Sequence, residues 1–512
     1  MNEERLNSLT QSQLDEIETY QRIRNMLKND KLRPKYHFTS PLERLNDPNG
    51  FCFYHGNWHL FYQFCIGGIY HWGHAYSEDS LHWKDLPIAL KPGEFERQCW
   101  SGSVMIEGDR AIAAYYSLDR GIVIAVSEDP LLMDWKKRKD GRAVIETPST
   151  PELKATYSVF DPFLWKKDGT YYIISGKFHI DPVSGKRERQ EYLFCSEDLD
   201  HWTYLHEFIE NDRFAEHGDD GACPYFVPLE DRYVLFHFSH MGGPKCIVGD
   251  YDRERDHFVA SDGYSLTTTS SFFGGLHAPS VYPEGDKSVR AIFNVNDCKQ
   301  TETLNQVMSL PRSVSFADCD HNELAFRPID ETVSLRDGEP VVTLENVKLE
   351  ANNEYVIENL EAGSAELNFT FEEKNIPAIE IRVFRSMDCA EYTSIAIYRQ
   401  RGNTNRKHFR ADFGYKHSHD SVLTVDTLHS SLDTNATLRA PEMQAAYISP
   451  DEKLHVRVFT DQSIVEVFVN DLICCTARVY PTKEDSVGVS VNAIGGEIVM
   501  EKFSCYRMKE IF

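Results

Sequence analysis

Asp47-Pro48-Asn49-Gly50 leads straight into FCFYHGNWHLFYQF at residues 51–64. This reads as a short strand, a glycine-containing turn and an aromatic second strand. The proline fixes φ and the Asn-Gly pair turns the chain, so Asp47 stands on a rigid, pre-aimed support. The same unit recurs downstream. Ser101-Gly102 precedes SVMIEGDRAIAAYY, Asp161-Pro162 precedes FLWKKDGTYYIISG, Cys223-Pro224 precedes YFVPLEDRYVLFHF and Ala278-Pro279 precedes SVYPEGDKSVRAIF. The starts at 47, 101, 161, 223 and 278 are separated by 54, 60, 62 and 55 residues.

A second repeat lies between these hairpins. It runs SEDSLHWK from Ser77, SEDPLLMDWK from Ser127 and SEDLDHWT from Ser196, with a looser relative, GDYDRERDHF, from Gly249. Each reads as the turn of an outer hairpin, with Trp83, Trp135 and Trp202 as packing residues. Equal units of four strands, repeated five times, predict a five-bladed β-propeller. A protein-interaction propeller of the WD type fits poorly, because Gly-His and Trp-Asp signatures are lacking and the unit exceeds about 45 residues.

The flanks differ. Residues 1–34 read as a helical extension, with apolar residues at Leu9, Leu14, Ile17, Ile23 and Leu27. It packs either on the propeller or on the partner subunit of a homo-oligomer. The propeller domain spans 35–325. From 340 to 512 regular alternation returns, as in AELNFTFEE, AIEIRVFRS and HVRVFTDQSIVEVFVND, which predicts an antiparallel β-sandwich. The fold class is all-β.

The net charge of −26 argues against a nucleic-acid partner, whose binders carry basic faces. No window approaches the roughly 20 apolar residues of a membrane span, and residues 1–30 lack the apolar core of a secretory signal. The twelve cysteines show neither a CxxC pair nor zinc-like spacing, so reduced thiols in a cytoplasmic protein are expected. Nothing in the motifs requires a metal or a cofactor. In a propeller, residues at the starts of the innermost strands converge on one funnel. Asp47, Ser101, Asp161, Ala222 and His277 hold these or neighbouring positions. Two carboxylates in a funnel rimmed by Tyr62, Trp72 and Trp100 point to a sugar site.

LNDPNG at 45–50, WHLFYQF at 58–64, HWGHAYSEDSLHWKDLPIAL at 71–90, WSGS at 100–103, DQSIVEVFVND at 461–471 and RVYPT at 478–482 together resemble glycoside hydrolase family 32, the β-fructofuranosidases (invertases, levanases, inulinases). The resemblance covers roughly residues 35–512. It implies a five-bladed propeller with a C-terminal sandwich, acting on a furanoside or oligosaccharide by a retaining double displacement with carboxyls about 5–5.5 Å apart. It further implies Asp47 as nucleophile, Asp161 as the transition-state-stabilising aspartate, and Asn46, Gln63, Trp72 and Ser101 as substrate contacts. Trp100 and His277 are expected near the sugar.

Two departures from the family pattern stand out. Phe160-Asp161-Pro162 replaces Arg-Asp-Pro, and Ala222-Cys223-Pro224 replaces Glu-Cys-Pro, so the acid/base position carries no proton. The opening tryptophan of the first motif is also absent, with Glu43-Arg44 before Leu45. In an extended strand residues i and i+2 share a side, which makes Asp220 the expected proton donor. Asp219 points away in that geometry, and Glu216 and His217 are weaker candidates. His237 and His240 come near His277 if their strand faces inward. The expected function is hydrolysis of a β-fructofuranoside or a related ketofuranoside. The alternatives are a non-catalytic carbohydrate-binding protein on the same scaffold and a fructosyltransferase.

Overall fold

The computed structural model describes all residues except 1, 43, 182, 217, 269–271, 318–322, 400–420 and 450. Five β-sheets form the propeller. Their innermost strands are Arg44–Tyr54, Cys99–Glu107, Pro162–Lys167, Ala222–Leu229 and Leu276–Glu284. Each runs antiparallel to the next strand outward through the turn that its sequence announces. The outer repeat is a side-chain-capped turn. Asp79, Asp129, Asp198 and Asp252 each accept the backbone N–H two residues on, at 2.9–3.1 Å, a local bond that favours turns.

Four of the five innermost strands start with a β-bulge at the same place. Register slips between Leu45 and Pro48, Cys99 and Gly102, Ala222 and Tyr225, and Leu276 and Pro279. The residues inside the slips are Asn46-Asp47, Trp100-Ser101, Cys223-Pro224 and His277-Ala278. A bulge bends its strand and re-aims side chains, and here it turns them toward the propeller axis. Cys223 takes a positive φ of 48° to do so.

Below the bulges the blades are tied by one buried hydroxyl. Tyr225 Oη accepts from Gly50 N at 3.0 Å, donates to Gly102 O at 3.1 Å and lies 2.7 Å from Ser280 Oγ. Ser280 Oγ in turn accepts from Phe51 N, and the ring of Phe163 lies 5.4 Å from that of Tyr225. One residue therefore touches the innermost strands of the other four blades.

Two six-stranded sheets form the C-terminal sandwich. One is ordered Val342–Leu349, Ile498–Arg507, Ser364–Phe371, Leu454–Asp461, Ile464–Val469 and Ile473–Arg478. The other is ordered Glu354–Ile357, Gly488–Ile494, Ala378–Arg385, Thr393–Tyr398, Ser421–Asp426 and Glu442–Ala446. The DQSIVEVFVND stretch has a structural task. Asp461 accepts the backbone N–H groups of Lys35, Tyr36 and His37. Glu466 meets His37 Nε2 at 3.0 Å and Arg312 Nη2 at 2.6 Å, so buried charges are satisfied across the domain boundary.

The N-terminal extension is two helices rather than one. Asn2–Leu6 precedes Gln11–Leu27, which starts with a capping box between Thr10 and Gln13. The longer helix sits on the first blade. Arg24 forms a two-pronged ion pair with Asp85 at 2.5 and 2.8 Å, and Glu16 accepts from Ile88 N.

Tyr225→Phe removes the hydroxyl while keeping the ring. It leaves Gly50 N and Gly102 O without that partner inside the core, and a destabilisation of about 2–4 kcal/mol is expected. Thermal unfolding of the variant checks this, and an unchanged melting temperature contradicts the role given to the hydroxyl.

Candidate active site

The four bulges and the head of the third blade line a cavity of about 170 Å³ at the end of the propeller axis. Asn46, Asp47, Gln63, Trp100, Ser101, Asp161 and His277 line it, together with Phe160 and Ala222. The sequence reading did not single out Arg44, Tyr70, Phe272, Asn296 and Gln306, which line it as well. Only the alternation of Asn294-Val295-Asn296, continuing the fifth-blade strand, offered a sequence signal for one of them.

Asp47 is held by a chain of polar side chains. Gln306 Nε2 donates to Asn46 Oδ1 at 2.9 Å, Asn46 Nδ2 to Gln63 Oε1 at 2.8 Å, Gln63 Nε2 to Ser101 Oγ at 2.5 Å and Ser101 Oγ to Asp47 Oδ2 at 2.6 Å. Asp47 Oδ1 has no hydrogen-bond partner among the described residues and lies 3.5 Å from His277 Nε2. Asn296 Nδ2 donates to His277 Nδ1 at 2.8 Å, which puts the ring proton of a neutral imidazole on Nε2, toward Asp47. Burial, with the charges of His240 and Arg44, holds His277 well below the usual imidazole range, so it stays neutral.

Asp161 stands beside Asp47. Its Oδ2 accepts from the Cys223 N–H at 3.1 Å and from the Cys223 thiol at 3.4 Å, and the same sulfur lies 3.8 Å from Asp47 Oδ2. Asp161 Oδ1, like Asp47 Oδ1, has no hydrogen-bond partner among the described residues. Burial raises Asp47 above the ordinary carboxylate range, against the opposing bond from Ser101. Burial and the adjacent Asp47 push Asp161 up to about 7. Two like charges in a desolvated site disfavour double ionisation. A carboxylate with one oxygen pinned and the other turned to the cavity is suited to attack an electrophilic carbon.

The positions where the family carries Arg and Glu form an apolar wall. Phe160, Ala222, Cys223, Phe238 and Ala278 pack into one cluster, with Ala222 directly across from Phe238 in the sheet. Among the described residues, Asp47 and Asp161 are the only carboxylates lining the cavity.

Asp220 does not line it. The innermost strand starts at Ala222, and Gly221 turns the chain with φ +56°, so the i, i+2 relation of an extended strand does not reach back to Asp220. A Cβ on Gly176 would lie 1.8 Å from Gly221 O, so the third blade fixes that turn. The Asp220 carboxylate instead grips His240, accepting its N–H at 3.1 Å and meeting Nδ1 at 2.5 Å. His240 lines the cavity from the turn that follows the strand Arg232–Ser239. His237 points the other way and bonds to Arg189. Asp219 and Glu216 both bind Lys245 Nζ, with Asp219 buried. Glu43 and His217 lie outside the described residues.

Tyr62 and Trp72 belong to the core and not to the rim. Both are almost fully buried, and Trp72 donates its indole N–H to Trp100 O at 2.7 Å. Tyr62 neighbours Gln63 and therefore faces away from the cavity, while Trp72 is covered by the second blade. Trp100 and Tyr70, both half-buried, supply the aromatic edge of the cavity instead.

Paired carboxylates at the axial pocket of a propeller define a glycosidase-type site, and the chain belongs to glycosyl hydrolases family 32. The family's N-terminal domain matches residues 37–328 and its C-terminal domain residues 331–507. The chain is 24% identical to a sucrose-6-phosphate hydrolase of Zymomonas mobilis over 93% of this chain and 92% of that one. It is 26% identical to a fructan 6-exohydrolase of Beta vulgaris over 94% and 87%. Among solved structures, fructan 1-exohydrolase IIa from Cichorium intybus superposes with a TM-score of 0.77 at 22% identity, covering 94% of this chain and 98% of that one. Sucrose-6-phosphate hydrolase from Lactobacillus gasseri gives 0.76 at 20%, covering 97% of each.

Asp161 is more basic in the folded chain than in the unfolded one. Its cost to stability is therefore absent below the unfolded value, about pH 4, and complete above the folded value of about 7. Asp161→Asn should melt at a higher temperature than wild type at about pH 8, with the difference closing below about pH 4. Thermal shift measured across this range checks it, and a gap that does not vary with pH contradicts the coupling of the two carboxylates.

Proposed function

We propose that the protein hydrolyses a β-fructofuranoside or a related ketofuranoside by a retaining double displacement, with Asp47 as the nucleophile. The observation that carries the reading is the posture of Asp47. One oxygen is anchored through Ser101, Gln63 and Asn46, and the other is turned to the cavity beside the neutral Nε2–H of His277. Asp47 Oδ1 attacks the anomeric carbon as the bond to the leaving oxygen breaks, and water then displaces the carboxylate with net retention. Asp161 receives sugar hydroxyls at its open Oδ1, so its interaction strengthens as the ring gains oxocarbenium character.

The size of the cavity supports an exo mode, in which one terminal furanosyl ring sits against Asp47 and Asp161 while the rest of the substrate leaves past Trp100 and Tyr70. The names of the relatives, two of which are fructan exohydrolases, agree with that mode. The Phe160 and Ala222 wall sets this site apart from an ordinary invertase and favours a substrate with fewer polar demands at that side.

A screen of sucrose, short inulin- and levan-type oligofructans and aryl furanosides, with products followed by NMR from the first turnover, tests the reading. Release of a terminal furanose with retained configuration is expected, and Asp47→Ala should lose at least about 10⁴-fold in kcat on every cleaved substrate. Inversion of configuration, or turnover that survives Asp47→Ala, would overturn it.

A further inference from the structure

Among the described residues the cavity has no carboxyl beyond Asp47 and Asp161, yet displacement of an unactivated sugar alkoxide needs a proton. The other titratable groups on its wall are Arg44, Tyr70, Cys223, His240 and His277. Guanidinium groups do not release a proton in proteins. Burial pushes the Tyr70 phenol up, and burial with the charges of Asp161 and Asp47 pushes the Cys223 thiol well up, so neither gives up a proton readily. His277 is held neutral, with Nδ1 bound by Asn296 and Nε2 aimed at Asp47 Oδ1 from 3.5 Å. His240 is left.

We infer that His240, held by Asp220, is the proton donor and acceptor of this site, taking over the task of the carboxyl missing at Ala222. This rests on the retaining reading above. The geometry is that of an oriented imidazole. Its backbone N–H and Nδ1 are both bound by the one Asp220 carboxylate, so the ring is fixed and Nε2 is its available nitrogen. The ring stands among Phe160, Phe238, Phe272 and His277, with centroids 6.4, 4.8, 6.2 and 6.4 Å away. Its side chain is 43% exposed, so it sits at the cavity mouth, where a leaving group would pass.

The charged and titratable groups that face it are Asp220 from the preceding loop, Asp47 from the first blade, Asp161 from the third and His277 from the fifth. Arg44 acts on His277, and Lys177 acts on Asp161 and Asp220. Burial alone would lower His240, but the Asp220 bond and the charges of Asp220, Asp47 and Asp161 outweigh it and raise it. The imidazolium form is thereby kept toward neutral pH.

The step balances without a co-reactant. Nε2–H of the imidazolium protonates the glycosidic oxygen as Asp47 Oδ1 forms its bond to the anomeric carbon and the carbon–oxygen bond breaks, releasing a neutral alcohol. The neutral imidazole then takes a proton from water as that water attacks the anomeric carbon and Asp47 leaves as carboxylate. Asp220 touches neither substrate nor water and is a positioning residue. Phe238 and Phe160 fill the place of the missing glutamate and arginine, and the turn directly after the strand of Phe238 brings His240.

The test compares leaving groups in the full-length protein. His240→Gln should lose about 10²–10⁴-fold in kcat/KM on sucrose or a kestose. The same variant should keep glycosylation of an aryl β-fructofuranoside within about tenfold, because that leaving group needs little protonation. Azide should restore its turnover on the aryl substrate and give a fructosyl azide of retained configuration, which also shows that the variant is folded. Asp220→Asn should move the alkaline fall of kcat/KM to lower pH, since removing the carboxylate lowers His240. Equal losses on both substrates, an unmoved alkaline limb in Asp220→Asn, or aryl-selective sparing in Asp161→Asn instead of His240→Gln would overturn the assignment. Loss of all cleavage in His240→Gln while Asp47→Ala remains active would sink the retaining reading itself.

Discussion

One buried hydroxyl sets the geometry of the molecule. Tyr225 reaches Gly50, Gly102 and Ser280 with its oxygen and Phe163 with its ring, so five strands are spaced about a single point on the axis. The residues it ties lie one to three positions along their strands from Asp47, Ser101, Asp161, Cys223 and His277, which line the cavity. There the bulges at Asn46-Asp47, Trp100-Ser101, Cys223-Pro224 and His277-Ala278 turn side chains inward at one level. The site is therefore a consequence of how the blades close. Its residues come from all five blades.

Closure also decides the electrostatics. Asp47 and Asp161 share one sulfur contact in a buried site, and burial raises both, with the Asp47 charge adding to the rise of Asp161. An arginine at 160 would relieve it; a phenylalanine does not. The apolar cluster of Phe160, Ala222 and Phe238 shifts the polar work of that wall outward to His240 and Asp220. The two altered motifs thus read as one rearrangement, in which charge leaves the wall and reappears at the mouth as an oriented imidazole.

Much of the fold was legible because it is written in turn chemistry. Asp79, Asp129, Asp198 and Asp252 cap the outer turns with their own side chains, and such local bonds leave a repeat in the sequence. Asp47 and Asp161 were legible through the turns that carry them, and Ser101, Gln63 and Asn46 through the family motifs they stand in; all five line the cavity. Tyr62 and Trp72 were misplaced, because one residue of register separates Gln63 in the cavity from Tyr62 in the core, and a neighbouring blade covers Trp72. Asp220 was misplaced because a single glycine, Gly221, ends the strand one residue too soon. The His240–Asp220 contact joins residues twenty positions apart across a strand end, and no spacing rule announces that. Nor could the sequence assign DQSIVEVFVND to the seam between the domains, where Asp461 holds the chain entering the propeller.

The central claim is that Asp47 forms a covalent bond to the sugar and that His240 helps to break it. Rapid-quench peptide mapping of His240→Gln with an aryl β-fructofuranoside tests both at once, since loss of the base should let the intermediate accumulate. The expected result is a hexosyl adduct on the peptide that carries Asp47, cleared on adding azide. An adduct on any other carboxylate, or no adduct in a variant that still turns over, would contradict the account.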